Sequence, residues 1–192
     1  MTSQEEKIAR LKRAIAEFTP GQFDQEAEKT KATVRKRALG LLDARARSRH
    51  ELRGRLLDAE FDPVVVEDVL DDLAAVNLIN DADFAHEWVR QRHARRGKST
   101  RVLDQELRDK GVDAATRAVA LDQIDAADEE TTARALAEKK ARTIREVPAD
   151  RADTDKALRR IVGVLARRGF PQSMSLRIAR EALDARTAEL GR

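Results

Sequence analysis

Apolar side chains recur every three to four residues through almost the whole chain, and alternation of apolar and polar residues is nearly absent. That period places the apolar residues on one side of an α-helix, whereas a half-buried strand has a period of two. One stripe is representative: Val66, Val69, Leu70, Leu73 and Val76. The pattern predicts an all-α fold.

Residues that start and stop helices divide this pattern into short segments. Asp62 and Pro63 combine a capping carboxylate with a proline at the first helical position. Ser99 and Asp113 are expected to cap two further helices, and Gly111 between them suits a left-handed position after a helix end. The helix capped by Asp113 is expected to face inward with Ala114, Ala118, Leu121 and Ile124.

These segments repeat along the chain. A shift of 51 places Ser48, Leu52, Leu56, Phe61, Asp62 and Leu70 on Ser99, Leu103, Leu107, Val112, Asp113 and Leu121. A shift of 58 places Leu103, Leu107, Gly111 and Val112 on Ile161, Leu165, Gly169 and Phe170. Such a period indicates tandem three-helix repeats in an elongated, curved helical array. The alternative is one ordinary bundle with coincidental spacing.

The predicted domain organisation follows from the repeats. Residues 1–30 form a variable N-terminal segment, with a helix carrying Ile8, Leu11, Ile15 and Phe18 and then a tether. Three repeats of three helices are expected at 31–77, 78–126 and 127–192, the third being the loosest match.

Composition excludes several classes of protein. The chain has no cysteine, so it has no disulfide framework or thiolate metal site. No segment approaches the roughly 18 apolar residues of a membrane helix, and the start lacks the basic and apolar regions of a secretory signal. We therefore expect a cytoplasmic protein.

Charge is segregated along the chain. From Leu56 to Val89 there are ten acidic residues and no Lys or Arg, and a basic run without acids follows. That run is Arg90, Arg92, Arg95, Arg96, Lys98 and Arg101. Segregation favours a charged partner, because the potential of like charges adds up. Solvated helix faces of alternating sign are the alternative.

The basic run spans a helix end, a glycine turn and the next helix start. Guanidinium groups and exposed backbone N–H groups there suit phosphate contacts, of single- or double-stranded DNA among others. Arg92 and Arg95 are expected to lie along the rim of the core, which leaves Arg90, Arg96, Lys98 and Arg101 freer.

No catalytic or metal-binding constellation is found. Gly97-Lys98-Ser99 lacks the preceding glycine and strand of a phosphate-binding loop. His86 and His93 are two turns apart, roughly 10 Å, too far to share one metal. The carboxylates Glu67, Asp68, Asp71 and Asp72 could hold Mg²⁺ weakly, but a solvated face is the better interpretation. We expect no enzyme, no metal and no cofactor.

One segment resembles a helix-turn-helix. It consists of a helix from Ser99 to Lys110, the turn at Gly111 and a helix from Asp113 to Ile124. The second helix begins with few side chains that read bases, so sequence-specific DNA recognition is weakly supported.

Residues 78–92 (LINDADFAHEWVRQR), Gly97-Lys98 and residues 106–112 (ELRDKGV) resemble the central signature of the RecX family, whose members modulate the bacterial recombinase RecA. Residues 38–42 and 48–52 resemble its first repeat. The resemblance covers about residues 31–190. Glu60 stands where the family often has glycine, and Ser99-Thr100 replace a common Gly-Pro pair.

The resemblance implies three tandem three-helix repeats without catalysis. Such a protein lies along the groove of a RecA–DNA filament and restrains its growth, ATP hydrolysis and strand exchange. Separately from the resemblance, we expect a monomer. The basic run would face DNA phosphate or an acidic filament surface, and the acidic helix with Glu67, Asp68, Asp71 and Asp72 would face basic filament residues. Reversing the charges of Arg90, Arg96, Lys98 and Arg101 should weaken filament binding without unfolding. A helix-turn-helix DNA regulator and a generic helical-repeat adaptor are the alternatives.

Overall fold

The computed structural model describes residues 22–191, with side chains from residue 25 onward. Within that range the chain forms helices and no strand, as the sequence predicts. They are α1 (Gln22–Ala44), α2 (Arg49–Leu57), α3 (Pro63–Ala75), α4 (Asp81–Arg96), α5 (Thr100–Asp109), α6 (Ala114–Leu121), α7 (Ala126–Ala141), α8 (Arg151–Arg167) and α9 (Gln172–Leu190). The helix predicted around Ile8 to Phe18 lies outside the described residues.

The chain divides into two compact units, one ending at Ile79 and the other beginning at Asn80. The first unit holds α1–α3, and the second holds two groups, α4–α6 and α7–α9. In each group all three helices pack against one another. The fold is therefore a series of three-helix groups. Ile79, placed by the sequence at the start of the second repeat, packs into the core of the first unit.

Each group buries its own apolar cluster. Large side chains with no exposed surface include Leu52 and Leu56 in the first cluster, Leu103 and Leu107 in the second, and Ile161 and Leu165 in the third. These are the residues that the shifts of 51 and 58 superimpose. The repeat in the sequence is therefore a repeat of core positions.

Capping residues open the equivalent helices with nearly the same geometry. Ser48 has φ −69° and ψ 159°, and Ser99 has φ −71° and ψ 159°. The Ser48 hydroxyl accepts from the Glu51 backbone N–H at 3.1 Å, and Asp113 accepts from Thr116 at 3.0 Å. The Asp62 carboxylate accepts from the backbone N–H groups of Val64 and Val65, which follow Pro63. The predicted helix starts are confirmed.

A left-handed residue ends the second helix of every group. Gly111 has φ 72° and Gly169 has φ 86°, and the equivalent residue of the first group, Glu60, has φ 61°. Glycine adopts this conformation freely, but a side chain costs about 1–2 kcal/mol there. Glu60 therefore adopts the same backbone conformation as the two glycines, but at a cost in free energy that they do not have.

The inward face predicted for the helix after Asp113 is only partly correct: Leu121 and Ile124 pack against the core cluster of the second group, as predicted, but the two alanines do not. Ala114 and Ala118 are exposed, and Ala120 is the buried residue, with 2% of its surface accessible. Half of the eight residues of α6 are alanine, so the apolar period of this helix carries little orientational information.

Candidate binding surfaces

Much of the segment from Trp88 to Lys110 is held together by one carboxylate, that of Glu106 on α5. It accepts a hydrogen bond from Trp88 Nε1 at 3.0 Å and pairs with Lys98. Arg92 Nε lies 3.7 Å from the same carboxylate, and its guanidinium carbon is 3.5 Å from the centroid of the Trp88 ring. Lys110 Nζ contacts that ring as well, at 4.4 Å. These residues fix α4 against α5.

Two residues of the basic run, Arg92 and Lys98, therefore help to hold α4 and α5 together. Arg92 packs beside the core, as predicted, but Lys98 does not lie free, because its side chain is only 20% exposed and is paired with Glu106. Reversing its charge would place two carboxylates together, so we expect a variant that includes Lys98 to be less stable than the unaltered chain.

Arg90 forms an ion pair with Glu87 on its own helix. Its Nε and Nη2 donate to the two carboxylate oxygens of Glu87 at 2.8 and 2.7 Å. Hydrogen bonding from Arg90, and from Gln91, lowers the pKa of Glu87 to about 2. The pair is exposed, so its attraction is weakened by solvent.

Three members of the basic run remain unpaired. Arg95, Arg96 and Arg101 are exposed, and none of them has an ion pair or hydrogen bond within residues 22–191. Arg95 was expected along the core rim and instead faces solvent. Arg101 also lines an open cleft of about 800 Å³ whose walls include Val102 and Phe170.

Contrary to the expectation of exposed N–H groups at the start of α5, those of Ser99, Thr100 and Val102 already have acceptors within the protein. The Ser99 N–H donates to the Arg168 carbonyl at 3.0 Å, and the Thr100 N–H donates to Glu129 Oε1 at 2.7 Å. The Ser99 hydroxyl accepts from Val102. A carboxylate of α7 thus occupies the positive end of α5.

His93 fastens the same junction. Its Nδ1 lies 2.9 Å from the Lys98 carbonyl, which only accepts, so Nδ1 carries the proton. Its Nε2 lies 3.0 Å from the Thr132 hydroxyl, which donates to it when the imidazole is neutral. The histidine joins α4 to α7 within the second unit.

The acidic face of α3 is neutralised within its own unit. Asp68 pairs with Lys31 at 3.1 Å, and Asp72 pairs with Arg35 at 2.6 Å. Arg49 lies 2.8 Å from both Glu67 and Asp71, and Arg53 also pairs with Glu67. Hydrogen bonds from Arg53 and Arg49 lower the pKa of Glu67. All four carboxylates therefore hold α3 against α1 and α2.

A second basic surface, on α7 and α8, was not singled out from the sequence. Lys156, Arg160 and Arg167 recur on one side of α8, and Lys140 and Arg145 lie near its first half. The helical spacing of these cations was the signal that could have revealed it.

In the part of the chain with described side chains, no group of three or more acidic or histidine residues is arranged to hold a metal ion. None of the described helices has the length and apolar character needed to cross a membrane.

Fold and surfaces together define an all-α protein made of consecutive three-helix domains with basic exterior patches. The family models of the first, second and third three-helix domains of RecX match residues 35–73, 80–121 and 128–178. The chain belongs to the RecX family.

Relatives support this assignment over most of the length. A regulatory protein RecX of Corynebacterium efficiens is 61% identical over 98% of this chain and 93% of its own length. One of Streptomyces lividans is 44% identical over 76% of this chain and 75% of its own. One of Thermobifida fusca is 39% identical over 83% of each.

Solved structures agree at the level of the fold. A crystal structure of RecX from Lactobacillus salivarius has a TM-score of 0.69 at 23% identity, covering 82% of this chain and 99% of that one. A second crystal structure of a regulatory protein RecX has the same score and identity, over 86% of this chain and 79% of its own.

Proposed function

We propose that this chain is a cytoplasmic regulatory protein that binds the RecA recombinase on its DNA filament. It restrains filament extension, ATP hydrolysis and strand exchange, and it performs no catalysis itself. The observation that carries the proposal is the match of all three RecX domains, together with relatives named as regulatory proteins. It acts as a monomer in modulating recombination, DNA repair and the SOS response.

Within the basic run, the proposal assigns the contact to Arg95, Arg96 and Arg101. An exposed guanidinium without an internal partner gains a carboxylate or phosphate contact without losing one. Arg90, Arg92 and Lys98 would first have to leave Glu87 or Glu106. These guanidinium groups can bind either the DNA phosphates of the filament or the acidic side chains of the recombinase, because both present paired oxygen acceptors.

The acidic residues of α3 enter the proposal with a smaller role. A basic filament surface would have to compete with Lys31, Arg35, Arg49 and Arg53 for these carboxylates. We therefore assign Glu67, Asp68, Asp71 and Asp72 to holding the first unit together, with any partner contact secondary.

The helix-turn-helix alternative is disfavoured by the side chains of α6. Its exposed residues include Ala114, Ala115, Ala118 and Val119, which cannot donate or accept hydrogen bonds from base edges. Arg117, its one basic residue, is 13% exposed and held by Asp104 at 2.7 Å.

Titrating the chain into RecA turning over ATP on single-stranded DNA tests the proposal. We expect inhibition well below one chain per recombinase, since each chain restrains a filament and not one subunit. A sequence-specific DNA regulator would instead prefer one duplex over random duplex. An adaptor with another partner would leave both RecA and DNA unaffected. Unchanged ATP hydrolysis at equimolar chain would refute the proposal.

A further inference from the structure

Helix α8 carries a row of basic side chains that no other part of the described protein uses. Lys156, Arg160, Gly163 and Arg167 follow the spacing i, i+4, i+7 and i+11, which places them along one side of the helix. Lys156, Arg160 and Arg167 are exposed and make no ion pair or hydrogen bond within residues 22–191. We call these three the α8 row. It extends about 16 Å, at 1.5 Å per residue.

A hollow of about 420 Å³ opens beside the first half of the row, between the end of α7 and α8. Lys156 and Arg160 line it together with Lys140 and Arg145, and the carboxylates of Glu146 and Asp153 line it as well. Its apolar lining includes Ile144, Pro148, Ala157 and Val147, the last with 46% of its surface exposed. We call this the α7–α8 pocket. Its volume is within the usual range of small-ligand sites.

Positive charge is concentrated around these two features. Residues 139–168 contain ten Lys or Arg and four Asp or Glu, a net charge of +6, although the whole chain carries only +3. Among the described residues, Arg142 is the member of that segment with an ion pair, a 3.8 Å contact with Glu138. A patch left so uncompensated raises the local concentration of anions.

We infer that the α8 row and the α7–α8 pocket form a binding site for single-stranded nucleic acid. Phosphodiester groups lie along Lys156, Arg160 and Arg167, and an unpaired base enters the pocket. This goes beyond the proposed function, because it concerns a different surface and requires no recombinase.

Two features of the site favour a single strand. Cations at regular intervals along a straight helix match a linear polyanion that adjusts its phosphate spacing to them. A pocket lined by apolar side chains and by four cations against two carboxylates matches a base with its attached phosphate, and only an unpaired base is free to enter it. In a duplex the bases are stacked and paired in the interior.

The lining of the pocket also indicates how far the site distinguishes one base from another. The pocket lining contains no aromatic residue, so the base is held by apolar contact with side chains such as Val147 and not by stacking. Binding should therefore depend strongly on salt and little on base sequence.

The test is fluorescence anisotropy of the full chain with a labelled oligothymidylate of about 15 nucleotides, roughly three times the span of the row at 3.4 Å per nucleotide. The triple variant Lys156→Gln/Arg160→Gln/Arg167→Gln should bind about tenfold more weakly at low salt. Between about 50 and 200 mM salt, the slope of log affinity against log salt should fall by about 2, at about 0.7 for each lost phosphate contact.

A matched variant controls for net charge. Lys36→Gln/Arg37→Gln/Arg55→Gln removes the same charge from exposed side chains of the first unit that have no ion pair within the described residues. It should bind the oligonucleotide like the unaltered chain. A second variant, Val147→Asn, replaces the apolar side chain with a neutral polar one and should weaken binding through the pocket alone while the salt slope stays the same.

Four outcomes would overturn the inference: no binding by the unaltered chain, no loss in the α8 variant, equal loss in the control, or tighter binding of the matching duplex. Thermal melting of each variant shows that it is folded, which the exposure of all altered side chains leads us to expect.

Discussion

The carboxylate of Glu129 on α7 closes the start of α5 by accepting from both the backbone N–H and the hydroxyl of Thr100, at 2.7 and 2.9 Å. The two residues are 29 positions apart, so the contact joins the last two three-helix groups. A helix start is a natural anion site, and here the protein supplies its own anion.

Removing this carboxylate should loosen the second unit. Glu129→Ala leaves a half-buried N–H without its partner, which should lower the free energy of unfolding by about 1–2 kcal/mol. Glu129→Gln keeps an acceptor oxygen and should lose less. Urea unfolding measures both, with Glu138→Ala on the same helix as the control, because the exposed Glu138 carboxylate has a single ion pair among the described residues, with Arg142 at 3.8 Å. Equal effects at Glu129 and Glu138 would contradict this role.

The last two three-helix groups also pack closely at Gly169, where the neighbouring side chains of Ser99 and Val102 leave no room for a β-carbon. A β-carbon there would lie 2.2 Å from Val102 Cγ2 and 2.6 Å from Ser99 Oγ, in addition to the unfavourable φ of 86°. We expect Gly169→Ala to cost about 2–5 kcal/mol, combining the backbone strain with overpacking.

Gly111→Ala separates the two contributions to that loss. Gly111 has a similar φ of 72° but is exposed, so its replacement should cost only about 1–2 kcal/mol. Urea midpoints compare the two variants. A loss at Gly111 as large as that at Gly169 would show that crowding against Val102 contributes nothing.

Glu60 is a site where the first unit can be stabilised. It occupies the left-handed position that Gly111 and Gly169 hold in the other groups, with φ 61°. Glu60→Gly should raise the free energy of unfolding by about 0.5–1 kcal/mol, the relief of backbone strain less the added entropy of the unfolded chain. Thermal melting measures this, and a lower melting temperature would be evidence against strain at Glu60.

Acid should destabilise the fold through its paired carboxylates. Hydrogen bonds from Arg177 and Arg134 lower the pKa of Glu130, and Arg134 and Arg177 lower that of Glu181. The pKa of Glu87 is lowered to about 2. The native state thus binds fewer protons than the unfolded chain, so this stability is present above the ordinary carboxyl pKa of about 4.3 and is lost as pH falls towards the lowered values.

Urea midpoints should therefore fall from about pH 5 downward, and by less in Glu130→Gln/Glu181→Gln, which lacks two of these titrating groups. A midpoint that does not change between about pH 6 and pH 3 would contradict this account.

Local features of the fold could be predicted because their causes are local. Ser99 and Asp113 bond to N–H groups three residues away, and the left-handed turn at Gly111 depends on its own backbone. The equivalence of Leu56 and Leu107 in the repeats could be found by sliding the sequence along itself by 51 residues. Three-helix groups follow from such features.

The availability of charged side chains could not be predicted in the same way, because it depends on partners brought close by folding. Lys98, just before α5, pairs with Glu106 in the second half of that helix. Arg35 of α1 pairs with Asp72 of α3, 37 positions away. A charge count treats Lys98 and Arg96 alike, although only Arg96 is unpaired in the described structure. The sequence thus predicted a basic surface but not which of its side chains are exposed and unpaired.

The most direct test of the regulatory account is inhibition of RecA ATP hydrolysis on single-stranded DNA by three forms of the chain. They are the unaltered chain, Arg95→Glu/Arg96→Glu/Arg101→Glu, and the control Lys36→Glu/Arg37→Glu/Arg55→Glu with the same change in charge. We predict that the first variant needs at least about tenfold more protein for half inhibition, a loss of about 1.4 kcal/mol, while the control inhibits normally. Equal inhibition by all three, or none by the unaltered chain, would contradict it.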